Sequence, residues 1–144
     1  MAQASNIVIN DGANTPVSHT FTPIGKDDKG VFWWEQTTPN PANPLGAKRI
    51  SYRQTRVMDN GSQLTSKSTC IYMLHVPTLE TLGTNDAGII PPPTLAYKEV
   101  ARVQFDLPDR SVKQERKDTR VLLLNLLAVN DIVKTIDDLQ PIYA

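Results

Sequence analysis

Near its C-terminus the chain carries a helix that a protein of this length cannot bury alone. Val112-Lys113-Gln114-Glu115-Arg116-Lys117-Asp118-Thr119-Arg120 is densely charged, and Val121-Leu122-Leu123-Leu124-Asn125-Leu126-Leu127, which follows directly, is apolar around almost its whole circumference. A helix that is hydrophobic all round has to be covered all round. A 144-residue chain supports one hydrophobic core, so a partner subunit is expected to supply the missing cover. Ser111 followed by Gln114 has the spacing of a capping box, in which hydroxyl and amide satisfy free N–H groups of the first turn, so the helix is expected to begin near Val112. After a bend at Ala128-Val129-Asn130-Asp131, Ile132, Val133, Ile136 and Leu139 recur at helical spacing with Lys134, Asp137 and Asp138 opposite them. Pro141 is expected to end this second helix.

Everything upstream reads as strands and turns. Asn6-Ile7-Val8-Ile9-Asn10, the turn Asp11-Gly12-Ala13-Asn14 and the alternating Ser18-His19-Thr20-Phe21-Thr22-Pro23 predict an N-terminal hairpin over 1–24. A charged loop, Gly25 to Gly30, leads to the aromatic strand Val31-Phe32-Trp33-Trp34-Glu35, whose adjacent tryptophans fall on opposite faces, one toward the core and one toward a subunit contact. Thr37 to Gly46, with three prolines, is a connector. Ala47 to Met58 is a long strand, Asn60-Gly61 favours a tight hairpin, and Lys67 to Val76 is the antiparallel partner. Pro77 to Pro93 is a loop stiffened by its proline run, and Ala96 to Leu107 is the last strand. Strands followed by helices give an α+β class in one domain, 1–144, with an antiparallel meander over 31–107 and two helices over 111–141.

Fifteen basic and fifteen acidic residues cancel, so no global positive charge marks a nucleic-acid binder. Locally the balance differs: Lys48, Arg49, Arg53, Arg56 and Lys67 face only Asp59 within their block. The single cysteine, Cys70, can form no internal disulfide or metal cluster. No apolar run reaches membrane-spanning length and no signal peptide opens the sequence, so neither a membrane partner nor secretory export is expected.

Alternation along Lys48–Met58 puts Arg49, Ser51, Arg53 and Thr55 on one face and Ile50, Tyr52 and Gln54 on the other. Guanidinium groups and hydroxyls on an uncovered face suit phosphates, sugars and base edges, although an alternating polar face is also ordinary for a sheet exposed on one side. On the neighbouring strand Cys70, Tyr72, Leu74 and Val76 form the core set, leaving Thr69, Ile71, Met73 and His75 with the basic face. Of these, Thr69 and His75 are candidate contacts. On the last strand Val103, Phe105 and Leu107 read as core, which turns Lys98, Arg102 and Gln104 to the open face. Tyr97 is an alternative candidate there, and it can join them only through a bulge.

The run Gln114-Glu115-Arg116, the leucine block and Ile136-Asp137-Asp138-Leu139-Gln140-Pro141-Ile142-Tyr143 resemble the C-terminus of coat proteins of the small single-stranded RNA bacteriophages, the leviviruses. Lys48-Arg49-Ile50-Ser51 adds a weaker match. The resemblance implies a homodimer with its two sheets joined edge to edge and each chain's helices, with Leu122, Leu123, Leu124, Leu126 and Leu127, reaching onto the partner. It implies an icosahedral shell in the virion, assembled in the host cytoplasm, with the 77–93 loop between dimers. It also implies that an RNA hairpin lies on the inner sheet face at Arg49, Ser51, Arg53, Thr55, Thr69, His75, Tyr97, Lys98 and Arg102, with translational repression as a second role. In that segment Tyr97 corresponds to a tyrosine that stacks on a base. No cofactor or metal is implied.

An enzyme reading finds little support, because His19 and His75 stand on separate strands and no nucleophile, phosphate-loop or Cys-x-x-Cys motif occurs. A dimeric RNA-binding regulator that forms no particles is the other reading.

Overall fold

The computed structural model describes residues 3–56, 67–81, 83 and 86–143. Six strands follow one another in both sequence and space: β1 (Ile7–Asn10), β2 (Ser18–Lys26), β3 (Phe32–Thr38), β4 (Arg49–Thr55), β5 (Lys67–Leu79) and β6 (Leu95–Pro108). All pairings are antiparallel, and a one-turn 3₁₀ segment, Pro44–Gly46, bridges β3 and β4. Two helices close the chain, α1 (Lys113–Leu127) and α2 (Asn130–Asp137). The architecture is the expected α+β arrangement of hairpin, meander and terminal helices.

The strand boundaries differ from expectation where proline was read as a stop. β5 continues through Pro77 to Leu79, because β4 pairs with β5 only as far as Arg49 opposite His75. Beyond that point β6 is the strand paired with β5, and a residue lacking an N–H is tolerated there. The loop therefore begins at Glu80, not Pro77. Its ends are pinned by the Glu80 N–H donating to the Thr94 carbonyl at 2.9 Å and by the Thr94 hydroxyl donating to the Glu80 carboxylate. β4 is shorter than the expected 47–58 strand, and the Asn60-Gly61 turn lies outside the described residues.

The cap of α1 also differs by one residue. Val112 is the N-cap, and its N–H donates to the carboxylate of Glu115 at 2.9 Å. Ser111 instead donates to the Pro108 carbonyl at 2.7 Å, and Gln114 donates to Asp118 at 2.6 Å. A charged acceptor at the third helical position gains from both a stronger hydrogen bond and the helix dipole, so Glu115 displaces the neutral Gln114. α2 ends before Pro141, at Asp137. Leu139 turns to φ 54° while the Gln140 N–H closes onto the Lys134 carbonyl at 3.3 Å.

Few of the described residues are buried by the chain itself. Among the described residues the buried apolar side chains are Phe21 and Ala47 alone, and neither helix carries a buried residue. Leu122 is 67% and Leu124 56% exposed, and Leu126 and Leu127 are exposed as well. β6 adds a second unmet demand: fourteen residues long, it hydrogen-bonds to β5 on one side and to no described strand on the other.

Candidate nucleic-acid interface

Residues directly opposite one another on antiparallel strands share a face. Arg49, Ser51, Arg53 and Thr55 stand opposite His75, Met73, Ile71 and Thr69, and these in turn oppose Val100, Arg102, Gln104 and Asp106. Trp33 and Glu35 join through their pairing with Ser51 and Arg49, and Lys98 through Pro77. The second face carries Phe32, Trp34, Ile50, Tyr52, Cys70, Tyr72, Leu74, Val103 and Phe105. One face is polar and the other is aromatic and aliphatic.

The candidate residues Arg49, Ser51, Arg53, Thr55, Thr69, His75, Lys98 and Arg102 thus share a single surface. Tyr97 does not. It pairs with Thr78, and Lys98 with Pro77, in a regular ladder whose irregularity falls only after Thr78, so Tyr97 points to the apolar side. No bulge intervenes to bring it across, and the basic set is the correct register. The tryptophans fall on opposite faces: Trp33 lies on the polar face, while Trp34, on the apolar face, donates to the Ser5 carbonyl at 3.0 Å.

The polar face is internally wired. Glu35 accepts from both Nε and Nη2 of Arg49 at 2.8 Å. Arg102 donates to Gln104 at 2.8 Å, Gln104 to Asp106 at 3.1 Å, and Thr69 to Asp106 at 2.9 Å, with Lys67 3.4 Å from the same carboxylate. The Thr69 and Gln104 donors hold the Asp106 carboxyl below its ordinary range. Ser51, only 4% exposed, lies 3.3 Å from His75 Nε2. Desolvation, reinforced by Lys98 and Arg49, pushes the His75 imidazole below its usual pKa, so near neutral pH it takes part as an uncharged ring. Arg53 makes no ion pair among the described residues.

Glu35 and Asp106 were invisible to a charge count taken along the chain, because they reach this face from β3 and β6. Only strand parity could have found them. Trp33 was missed for a similar reason: its ring lies 5.4 Å from that of His75, and its indole N–H donates to Asp27 at 2.9 Å. Asp27 also accepts from the Lys29 and Val31 amides, and the Trp33 and Val31 donors keep its carboxyl acidic.

The apolar face carries a row of rings. Phe32 and Trp34 are 4.6 Å apart, Trp34 and Tyr52 6.5 Å, and Tyr52 and Tyr72 5.1 Å. Burial raises the pKa of both tyrosines and of the Cys70 thiol, which makes that sulfur a packing group with little thiolate character. No group of His, Cys, Asp and Glu able to hold a metal occurs among the described residues.

An antiparallel sheet followed by two C-terminal helices is also the fold of known capsid proteins. The family model described as "Levivirus coat protein" matches residues 2–143. The chain belongs to the levivirus coat protein family. It is 33% identical over 150 residues to the capsid protein of Pseudomonas phage PRR1, with 99% of this chain and all of the relative covered. Among solved structures, the virus-like particle of bacteriophage ESE058 is similar with a TM-score of 0.88 and 34% identity, over 99% of this chain and 100% of that one. The capsid protein of bacteriophage GA shares the fold, with a TM-score of 0.70 at 21% identity over 96% and 97% of the two chains. As a member of this family the protein is a structural component of a phage virion and not an enzyme.

Proposed function

We propose that two copies of this capsid protein pair through the β6 edge and the apolar side of the sheet, that the dimers close into an icosahedral shell, and that the polar face lies against single-stranded RNA inside it. The observation that carries this reading is the contrast between the faces. The rings and leucines on one side lack cover, while the charged groups on the other are held in place by cross-strand partners. Fully burying a leucine is worth about 1.5–3 kcal/mol, so four exposed leucines on α1 leave several kcal/mol per chain for a second copy to supply. Pairing β6 with its symmetry mate would remove the open edge at the same step.

Similarity to a solved virus-like particle supports closure into shells, and the exposed Ile89 and Ile90 in the 80–94 loop suit that loop to contacts between dimers. Binding of a hairpin from its own message to the polar face would make the same surface a translational repressor. Electron microscopy of the purified protein, together with its absorbance ratio for co-purifying nucleic acid, tests the reading. Closed particles that carry RNA are expected. Discrete dimers that bind RNA without forming particles would leave a regulator, and particles that fill equally well with any polyanion would remove the role of the face in selecting RNA.

A further inference from the structure

A carboxylate stands on the apolar face of the sheet. Glu99 pairs with Val76 of β5, so it shares that face with Tyr97, Ala101, Val103 and Phe105 of its own strand. Its side chain is exposed and makes no hydrogen bond or ion pair among the described residues. Covering it without a cation would carry a large desolvation cost. A second β6 laid along the open edge offers none, because the charge it brings to the same face is another Glu99. Lys48 falls on this face by alternation but lies two strands away, about 10 Å.

The first half of α1 carries cations in a suitable order. Lys113, Lys117 and Arg120 lead into Leu124 and Leu127 along one stripe of the helix, with Glu115 and Asp118 turned away from it. Arg120 stands one turn before Leu124, so it descends with the leucines onto whatever covers them, and it makes no ion pair among the described residues.

We propose that Glu99 of each copy pairs with Arg120 of the other, two pairs to a dimer, and that this exchange makes the dimer selective for its own kind. The pairing rests on the proposed dimer and adds which charges recognise each other within it. Distance along the strands excludes the chain's own Arg120. From Pro108 back to Glu99 is about 30 Å of strand, and Arg120 lies about 10 Å into α1, so a helix doubling back over its own β6 stops about 20 Å short. In an antiparallel seam the second copy enters from the other end. Alignment about Ala101 keeps each face continuous, overlaps nearly all of both strands and sets no like charges opposite one another. One residue to either side puts Arg102 beside its own copy or Lys98 beside the partner's Arg102. With Ala101 on the axis, the partner's Leu107 stands beside Leu95, about 13 Å from the level of Glu99. The partner's α1 starts at that end and brings its Arg120 to within a few Å of that level.

The test uses full-length chains expressed singly and in pairs, with native mass spectrometry counting dimers, free or released from particles, by composition. Glu99→Arg or Arg120→Glu alone sets two like-charged pairs into its own dimer and should raise the dissociation constant about a hundredfold or more. Expressed together, the two variants should recover dimers holding one chain of each, since both opposite-charge pairs re-form only in the mixed dimer. The chain bearing both reversals should pair with itself and not with the unaltered chain. Single variants that dimerise as tightly as the unaltered protein overturn the pair and leave the dimer standing. Recovery in the doubly reversed chain without recovery on mixing would mean a contact within one chain and overturns the exchange. Loss in Glu99→Arg alone, with Arg120→Glu indifferent, gives Glu99 another cation and overturns it too, as does failure of every combination to recover. An unaltered chain that stays monomeric removes the dimer itself, and the pair with it.

Discussion

On the polar face of the sheet most charged groups have already found partners within the chain: Arg49 with Glu35, Lys67 and Thr69 with Asp106, Arg102 with Gln104. On the opposite face, built from the alternate residues of the same strands, Tyr72 lies 44% open and the helices stand clear. The difference teaches which surface is committed to what. Polar groups can be paired by neighbours across a strand, whereas apolar area can be satisfied only by mass laid on top of it, and a single chain has none to spare. In the proposed assembly the first face meets the RNA and the second takes the protein partner.

The sharpest way to break this contrast is to charge the waiting surface. Leu124→Asp or Leu127→Asp should abolish the dimer, because an unpaired carboxylate in a packed interface costs several kcal/mol. Sedimentation should then show aggregate or unfolded chain. A folded monomer of the unaltered protein at micromolar concentration would mean that the apolar face needs no partner.

Next in size is the loop between β5 and β6. Deleting residues 84–88 should leave dimers intact and alter or prevent shells, since loop shortening changes closure entropy only slightly and touches neither face. Size-exclusion chromatography with electron microscopy separates the two outcomes. Loss of the dimer would make the loop part of the waiting surface.

The polar face should respond in affinity and not in stability. Arg53→Ala is expected to lower the slope of log K against log salt by about 0.7, the value for one phosphate on a single strand. Arg49→Ala should lower it less, because that guanidinium is already shared with Glu35. Glu35→Gln releases Arg49 and should strengthen RNA binding. A titration at several salt concentrations with all three variants checks the order, and identical slopes would place the RNA away from β4.

Alternation made the faces of β4 and β5 legible from the residue string, since parity needs no knowledge of neighbours. The contents of the faces were only half legible. Glu35, Asp106 and Trp33 are distant in sequence from Arg49, Thr69 and His75, and only the register brings them together. Pro77 misled for a physical reason: the rule that proline stops strands assumes hydrogen bonding on both sides, and β5 has lost its β4 neighbour by that point. The sequence shows capping-box spacing at Ser111 and Gln114, whereas the box that forms is Val112 with Glu115, one residue on, and the preference for a charged acceptor over a neutral one is electrostatics that a motif does not encode. The leucine block was the clearest signal of all. Its excess of apolar surface was legible because it could not be reconciled with one chain.

The smallest expected effect concerns His75, where the polar face carries a titratable ring. Its folded-state pKa lies below the ordinary 6.5, through desolvation and the nearby Lys98 and Arg49. A group depressed on folding contributes stability that is present above its unfolded pKa and is lost as pH falls through the folded value. The protein should therefore lose a little stability on going from neutral pH to below about 6, well above the range in which the acidic carboxyls of Asp11, Asp27 and Asp106 titrate. His75→Gln should flatten that part of the profile, and bound RNA should flatten it too, because a phosphate beside Lys98 and Arg49 would offset the cost of protonating the ring. Denaturant midpoints at two pH values, for empty and RNA-bound protein, check both arms. If RNA leaves the slope unchanged while His75→Gln removes it, the ring is depressed as described but no phosphate comes near, and the contrast between the faces would hold with the RNA placed elsewhere on the polar side.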